Sequence, residues 1–272
     1  MDNAPASYAG RVPPPGAAQP LRGVLLGFAF DTALALAIGF ALTTLASLLW
    51  GVATGFRAAL QGANADAVGA AISAPGALAQ ICMVLLASAS TALLLYAWRR
   101  PATAAERGIS HQRIRQPRTW LLAITTAALL FVATSLISWL LQQAGMPPNP
   151  SNLAVIQAAM AQSPALVVFF TVVAAPLYEE LLFRRVLFGR FWQAGRPLLG
   201  MWLSGLVFAL SHEIPGLGNG PITATLCLFA VYALMGVAFA WLYRRTGTLW
   251  APIMAHALNN GLALLFLFAA QA

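Results

Sequence analysis

Lysine is absent from this 272-residue chain, and charge of either sign is scarce: only 8% of the residues are ionisable, against roughly a quarter in an ordinary soluble domain. With 60% of the residues hydrophobic, a water-facing shell cannot be assembled, which excludes an ordinary soluble domain and makes lipid the expected surrounding. Cysteine is limited to Cys82 and Cys227. Both lie inside long apolar stretches, so neither a disulfide framework nor a zinc knuckle can be built, and they read as packing residues. The net charge of +8 could suggest nucleic acid as a partner. However, the arginines cluster at the ends of apolar stretches, a pattern that sets membrane topology, and no nucleic-acid partner is expected.

What is present is a series of long apolar runs. Residues 1–20, rich in Pro, Ala and Gly, read as a disordered tail. The first apolar segment after Arg22 is too long for a signal-peptide core and reads as an uncleaved anchor. A spanning helix needs about 20 mostly apolar residues. That criterion predicts an all-α, polytopic transmembrane bundle of about seven helices, near 24–50, 76–98, 119–141, 164–189, 198–213, 221–243 and 248–268. The Ala-rich stretch 58–74 is an eighth candidate. The chain divides into the tail (1–20), N-terminal transmembrane helices and loops (21–163) and a C-terminal transmembrane core (164–272). With the N-terminus in the cytoplasm, every arginine except Arg57 falls on cytoplasmic segments, which predicts an outside C-terminus. After the Pro147-Pro148-Asn149-Pro150 stop, Leu153, Ile156 and Met160 predict a short interfacial helix, with Ser151 as its cap.

Ionisable groups at bilayer depth are costly and usually functional, and here they concentrate in the C-terminal half. The fourth segment carries Glu179-Glu180, which cannot share one direction on a helix. Glu180 and Arg184, four apart, meet on one face and neutralise each other. Glu179 is left without a local partner and is the candidate reactive group. Arg185 reads as a marker of the cytoplasmic end. The fifth segment puts Phe208 and His212 on one face, and the seventh does the same with His256 and Asn260. Counting 1.5 Å per residue from the cytoplasmic ends puts Glu179, His212 and His256 roughly 16, 22 and 12 Å deep, a spread that a kink at Pro176 or Pro252 could close. Asp31, the other acid in an apolar segment, reads as structural or helix-capping.

The order E-E-x-x-x-R, F-x-x-x-H, H-x-x-x-N on successive apolar helices resembles the CAAX protease and bacteriocin-processing (CPBP, or Abi) family, which includes the type II CAAX prenyl endopeptidases. The matching positions are Glu179, Glu180 and Arg184, then Phe208 and His212, then His256 and Asn260. The resemblance implies an intramembrane endopeptidase acting on a hydrophobic or membrane-proximal peptide. In it, Glu179 and His212 would activate water, and His256 and Asn260 would hydrogen-bond the oxyanion. Glu180, Arg184 and Phe208 would support them. It also implies a cofactor-free site, with zinc on Glu179, His212 and His256 as the alternative.

No H-E-x-x-H zinc motif is present, because Gly216 stands where its second histidine would be. The G-x-S-G and G-x-G-D signatures of serine and aspartyl intramembrane proteases are missing too. Two other function classes remain open on the residues alone. One is a proton-coupled transporter with Glu179, His212 and His256 as a relay, and the other is a non-catalytic scaffold or immunity-type protein. The Lys-free, Ala- and Arg-rich composition fits a high-GC bacterium, hence an inner (plasma) membrane location and lipids as partners.

Overall fold

The computed structural model describes residues 20–73, 75–217 and 221–269, so the expected tail lies outside the described residues except for Pro20. Among these residues all regular elements are helices: α1 (Leu21–Leu60), α2 (Ala65–Ser73), α3 (Ala77–Arg99), α4 (Ala104–Ile114), α5 (Pro117–Gln143), α6 (Leu153–Gln162), α7 (Pro164–Gln193), α8 (Pro197–His212), α9 (Ile222–Thr246) and α10 (Trp250–Ala269). Six of them, α1, α3, α5, α7, α9 and α10, are long and apolar enough to cross a membrane. Their outer faces confirm the surrounding. Leu36, Phe40, Val52, Leu129 and Leu265 are 66–76% exposed, an apolar exterior that only lipid stabilises. The protein is a polytopic all-helical membrane bundle.

The expected boundaries shift in two places. The fifth expected span is α8, whose 16 residues cover about 24 Å, short of the ~30 Å hydrocarbon core. It nevertheless joins the arginine-rich end at Arg196 to the loop after α5, because Ser151 of that loop accepts no helix bond and instead donates its hydroxyl to the His212 carbonyl at 2.9 Å. The stretch 58–74 is not a further span: α1 runs on to Leu60 and α2 has only nine residues. The interfacial helix forms as α6 and buries Ile156 and Met160. Its N-cap is Asn152, with no side-chain cap bond, so Ser151 does not cap it.

The core gathers around α7, where Phe188, Phe191, Phe208 and Phe239 are fully buried. α8 and α9 cross at backbone contact. A Cβ on Gly236 would lie 2.6 Å from the Gly205 Cα, and one on Gly205 would lie 2.8 Å from the Ala233 carbonyl oxygen. This small-residue crossing is how membrane helices gain packing without a hydrophobic driving force.

Asp31 is fully buried and lies ten residues inside α1, too far in to cap it. It ties α1 to α3 through Arg99 Nε at 2.7 Å and to α7 through Arg190, for which Gly27 leaves room. Cys82 is exposed, so of the two cysteines it does not pack inside the protein.

At the arginine-rich end, α4 opens with a Thr103/Glu106 capping box. The same Glu106 carboxylate takes two bonds from Arg185, at 3.0 and 2.8 Å. Arg185 also donates to the Arg100 and Pro101 carbonyls. It therefore fastens α4 to α7. The Arg185 hydrogen bond first, then those from Thr103, outweigh burial and lower the Glu106 pKa to about 2. A carboxylate with a depressed folded pKa stabilises the fold fully above its unfolded value near 4.5 and loses that contribution as pH falls towards 2. Between pH 5 and 2 the melting temperature of the wild type should therefore fall more steeply than that of Glu106→Gln. Parallel melting curves for the two would show that this pair does not fasten α4.

Candidate active site

The site is built on the middle of α7, where regular α geometry is interrupted twice. Residues Phe169–Ala174 and Leu181–Phe188 are π-helical, and Ala175–Glu180 between them is α-helical. π turns inside a helix re-aim the side chains that follow, and they frequently occur at functional sites. Pro176, in the first turn of the central segment, fits there because the missing N–H and the fixed φ suit a helix start. Nothing in the apolar pattern of 164–189 signals these turns.

The two adjacent carboxylates point apart, as the helical angle requires. Glu180 is fully buried. One of its oxygens lies 2.9 Å from Arg184 Nε, and the other accepts from His256 Nδ1 at 3.0 Å. Arg184 is also fully buried. Its guanidinium carbon sits 4.6 Å from the Phe208 ring centre, 5.2 Å from Phe239 and 5.7 Å from Phe183. The side chain is held by one opposite charge and three aromatic faces, since none of its N–H groups is aligned for a hydrogen bond among the described residues.

Glu179 turns the other way, into the company of both imidazoles. Its Oε2 lies 3.5 Å from His212 Nε2 and 3.8 Å from His256 Nε2, and it has no hydrogen-bond partner among the described residues. The remaining ring nitrogens are engaged. His212 Nδ1 is 2.8 Å from the Phe208 carbonyl oxygen, which makes Nδ1 a donor and turns Nε2 towards Glu179. His256 Nδ1 meets Glu180, so its Nε2 also faces Glu179. The depths counted along the helices put these three groups at different levels; the structure brings both imidazoles within 4 Å of Glu179.

Phe208 organises the cluster through its ring, packing edge-on against Phe183 at 5.1 Å and lying 4.3 Å from the His212 ring. Asn260 stands one turn beyond His256 and donates from Nδ2 to the Thr171 carbonyl at 2.9 Å. One of its two amide hydrogens is therefore given to the backbone of α7. For the alternative zinc set Glu179, His212 and His256, no three His, Cys, Asp or Glu side chains among the described residues are arranged to hold a metal ion.

Several contributors carry no motif of their own. On α9, Phe239 stacks on His256 with ring centres 5.0 Å apart, and Tyr232 lies 4.9 Å from His212. Their seven-residue spacing puts them on one face of α9, but an aromatic pair at that spacing looks like ordinary core in a sequence. Glu213 is buried and accepts the Ser151 N–H at 3.1 Å. A cavity of about 190 Å³ opens there, bounded by Ser151, Leu210, Ser211, His212, Glu213 and Ile214. The side chains of His212 and Glu179 are 20% and 14% exposed, against 4% for His256. The cluster is therefore most open on the His212 side.

Comparison with known proteins agrees with the motif resemblance. Residues 161–262, which contain every motif position, match the family profile described as type II CAAX prenyl endopeptidase Rce1-like. Among curated proteins, the chain is 28% identical over 165 residues to the "Membrane-embedded CAAX protease MroQ" of Staphylococcus aureus (strain USA300), covering 56% of this chain and 61% of that protein. It is 29% identical over 99 residues to the "Putative membrane peptidase YdiL" of Bacillus subtilis (strain 168), covering 36% of each. The chain thus spans less than two thirds of either relative. No solved structure matches it.

Proposed function

We propose that this protein is an intramembrane endopeptidase that hydrolyses a peptide bond of a hydrophobic or membrane-proximal substrate, with the arginine-rich ends of its helices on the cytoplasmic side of the plasma membrane. The observation that carries the reading is the unpartnered Glu179 Oε2 between the Nε2 atoms of His212 and His256.

A water lodged between Glu179 and His212 would meet two acceptors, a carboxylate and an imidazole lone pair whose other nitrogen is committed to Phe208. As the water oxygen bonds to the scissile carbonyl carbon, its proton passes to Glu179. The carbonyl π electrons move onto oxygen, and the oxyanion forms. His256, paired through Nδ1 with Glu180, is set to hold a proton on Nε2 and donate it as a hydrogen bond to that oxygen. Collapse of the intermediate breaks the C–N bond, and the proton on Glu179 goes to the leaving amine.

No metal enters this scheme. Purified full-length protein in lipid vesicles should cleave a peptide library spanning hydrophobic membrane segments, and cleavage should persist after exhaustive treatment with a strong chelator. Loss of cleavage restored by zinc would make Glu179, His212 and His256 ligands instead. A wild-type protein that cuts nothing but drives proton-coupled uptake in sealed vesicles would replace the protease reading with the transporter one.

A further inference from the structure

The π-helical turn before Glu179 leaves the Thr171 carbonyl without its in-register backbone donor. In this turn the Ala175 N–H reaches the Phe170 carbonyl, five residues back. The next bond in that register would run from residue 176 to the Thr171 carbonyl. Residue 176 is proline, which has no N–H to give. A backbone carbonyl without a donor is costly inside a bilayer, where no solvent can replace the lost bond. Asn260 supplies the donor from another helix: its Nδ2 lies 2.9 Å from Thr171 O.

The consequence reaches the reactive carboxylate. Glu179 follows Pro176 by three residues, on the α-helical segment that the π turn aims. His256, one turn before Asn260 on α10, touches the same segment through Glu180 at 3.0 Å and faces Glu179 at 3.8 Å. α10 therefore grips α7 at two points, one on each side of Pro176. We propose that Asn260 is a positioning residue that stands in for the backbone N–H missing at Pro176, so that the widened turn keeps its shape and Glu179 stays between the two imidazoles. This rests on the reading of Glu179 as the group that activates water, and it differs from an oxyanion role, in which Asn260 would act on the substrate.

A double variant separates the two. Pro176→Ala returns an N–H at the position that can bond Thr171 O and should make the Asn260 amide redundant. Asn260→Ala alone should lower kcat by about 100-fold, as expected for an ångström-scale misplacement of a reacting group, with KM little changed. In Pro176→Ala/Asn260→Ala, kcat should return to within about twofold of Pro176→Ala alone, the margin within which uncoupled changes add. A double variant as slow as Asn260→Ala overturns the proposal and leaves Asn260 to the oxyanion.

The same four full-length proteins are melted in detergent, which decides the question even if the wild type cleaves no peptide. The melting-temperature drop caused by Asn260→Ala should be smaller in the Pro176→Ala background than in the wild type. Equal drops in both backgrounds overturn the clamp, whereas failure of wild-type cleavage bears only on the protease reading.

Discussion

Replacing Glu179 with glutamine should abolish cleavage while leaving the protein as stable as before. Glutamine keeps the shape of the side chain but cannot take a proton from water, and a positioned general base contributes roughly 10²- to 10⁴-fold to a rate. A fall of at least about 100-fold in turnover is therefore expected. The fold should tolerate the change because the Glu179 carboxylate makes no hydrogen bond among the described residues and its nearest polar neighbours lie at 3.5 and 3.8 Å. Glutamine keeps the side-chain volume and no hydrogen bond is lost, so the melting temperature should stay close to that of the wild type. A Glu179→Gln protein that cleaves at the wild-type rate would remove Glu179 from the chemistry.

Arg184 should show the opposite profile, with stability lost first and activity only as a consequence. Its side chain is 1% exposed and its partner Glu180 is fully shielded. Breaking one side of such a pair leaves an uncompensated charge and costs about 3–5 kcal/mol. Truncation to alanine also empties the space beneath the Phe183, Phe208 and Phe239 rings. Arg184→Ala should accordingly melt well below the wild type. Glu180→Gln/Arg184→Met, which removes both charges and keeps most of the volume, should recover much of the loss, because buried pairs replaced by matched neutral groups are often no less stable. The double variant should still be impaired in cleavage, since Glu180 also holds His256 Nδ1. If Arg184→Ala melts with the wild type, the ion pair does not hold α7.

These outcomes separate two carboxylates that are adjacent in sequence. Their separation was legible beforehand: on a helix Glu179 and Glu180 cannot face one way, and only Glu180 has an arginine four residues on. The motif histidines were legible for the same reason, as polar groups in segments that otherwise face lipid. The helical class and most of the spans followed from run length. Less could be read of α8, where an apolar run stops at 16 residues, and of Asp31, whose partners Arg99 and Arg190 lie far along the chain.

What had no signature was whatever depended on a distant partner or on a change of helical register. Glu106 looks like one arm of a capping box, and only the folded chain brings Arg185 to it. Ser151 looks like a helix cap until His212 and Glu213 claim it. The π turns of α7 leave no trace in the spacing of apolar residues, because a residue inserted into an all-round hydrophobic helix changes no pattern.

The amino-acid sequence alone determined that the chain lives in lipid as helices and which few side chains must escape that lipid, because the cost of burying charge is local and can be read residue by residue. Whether those side chains meet was decided by tertiary structure. The packing of α7, α8 and α10 brings both imidazoles within 4 Å of Glu179, a convergence of side chains from separate helices that no single segment can specify.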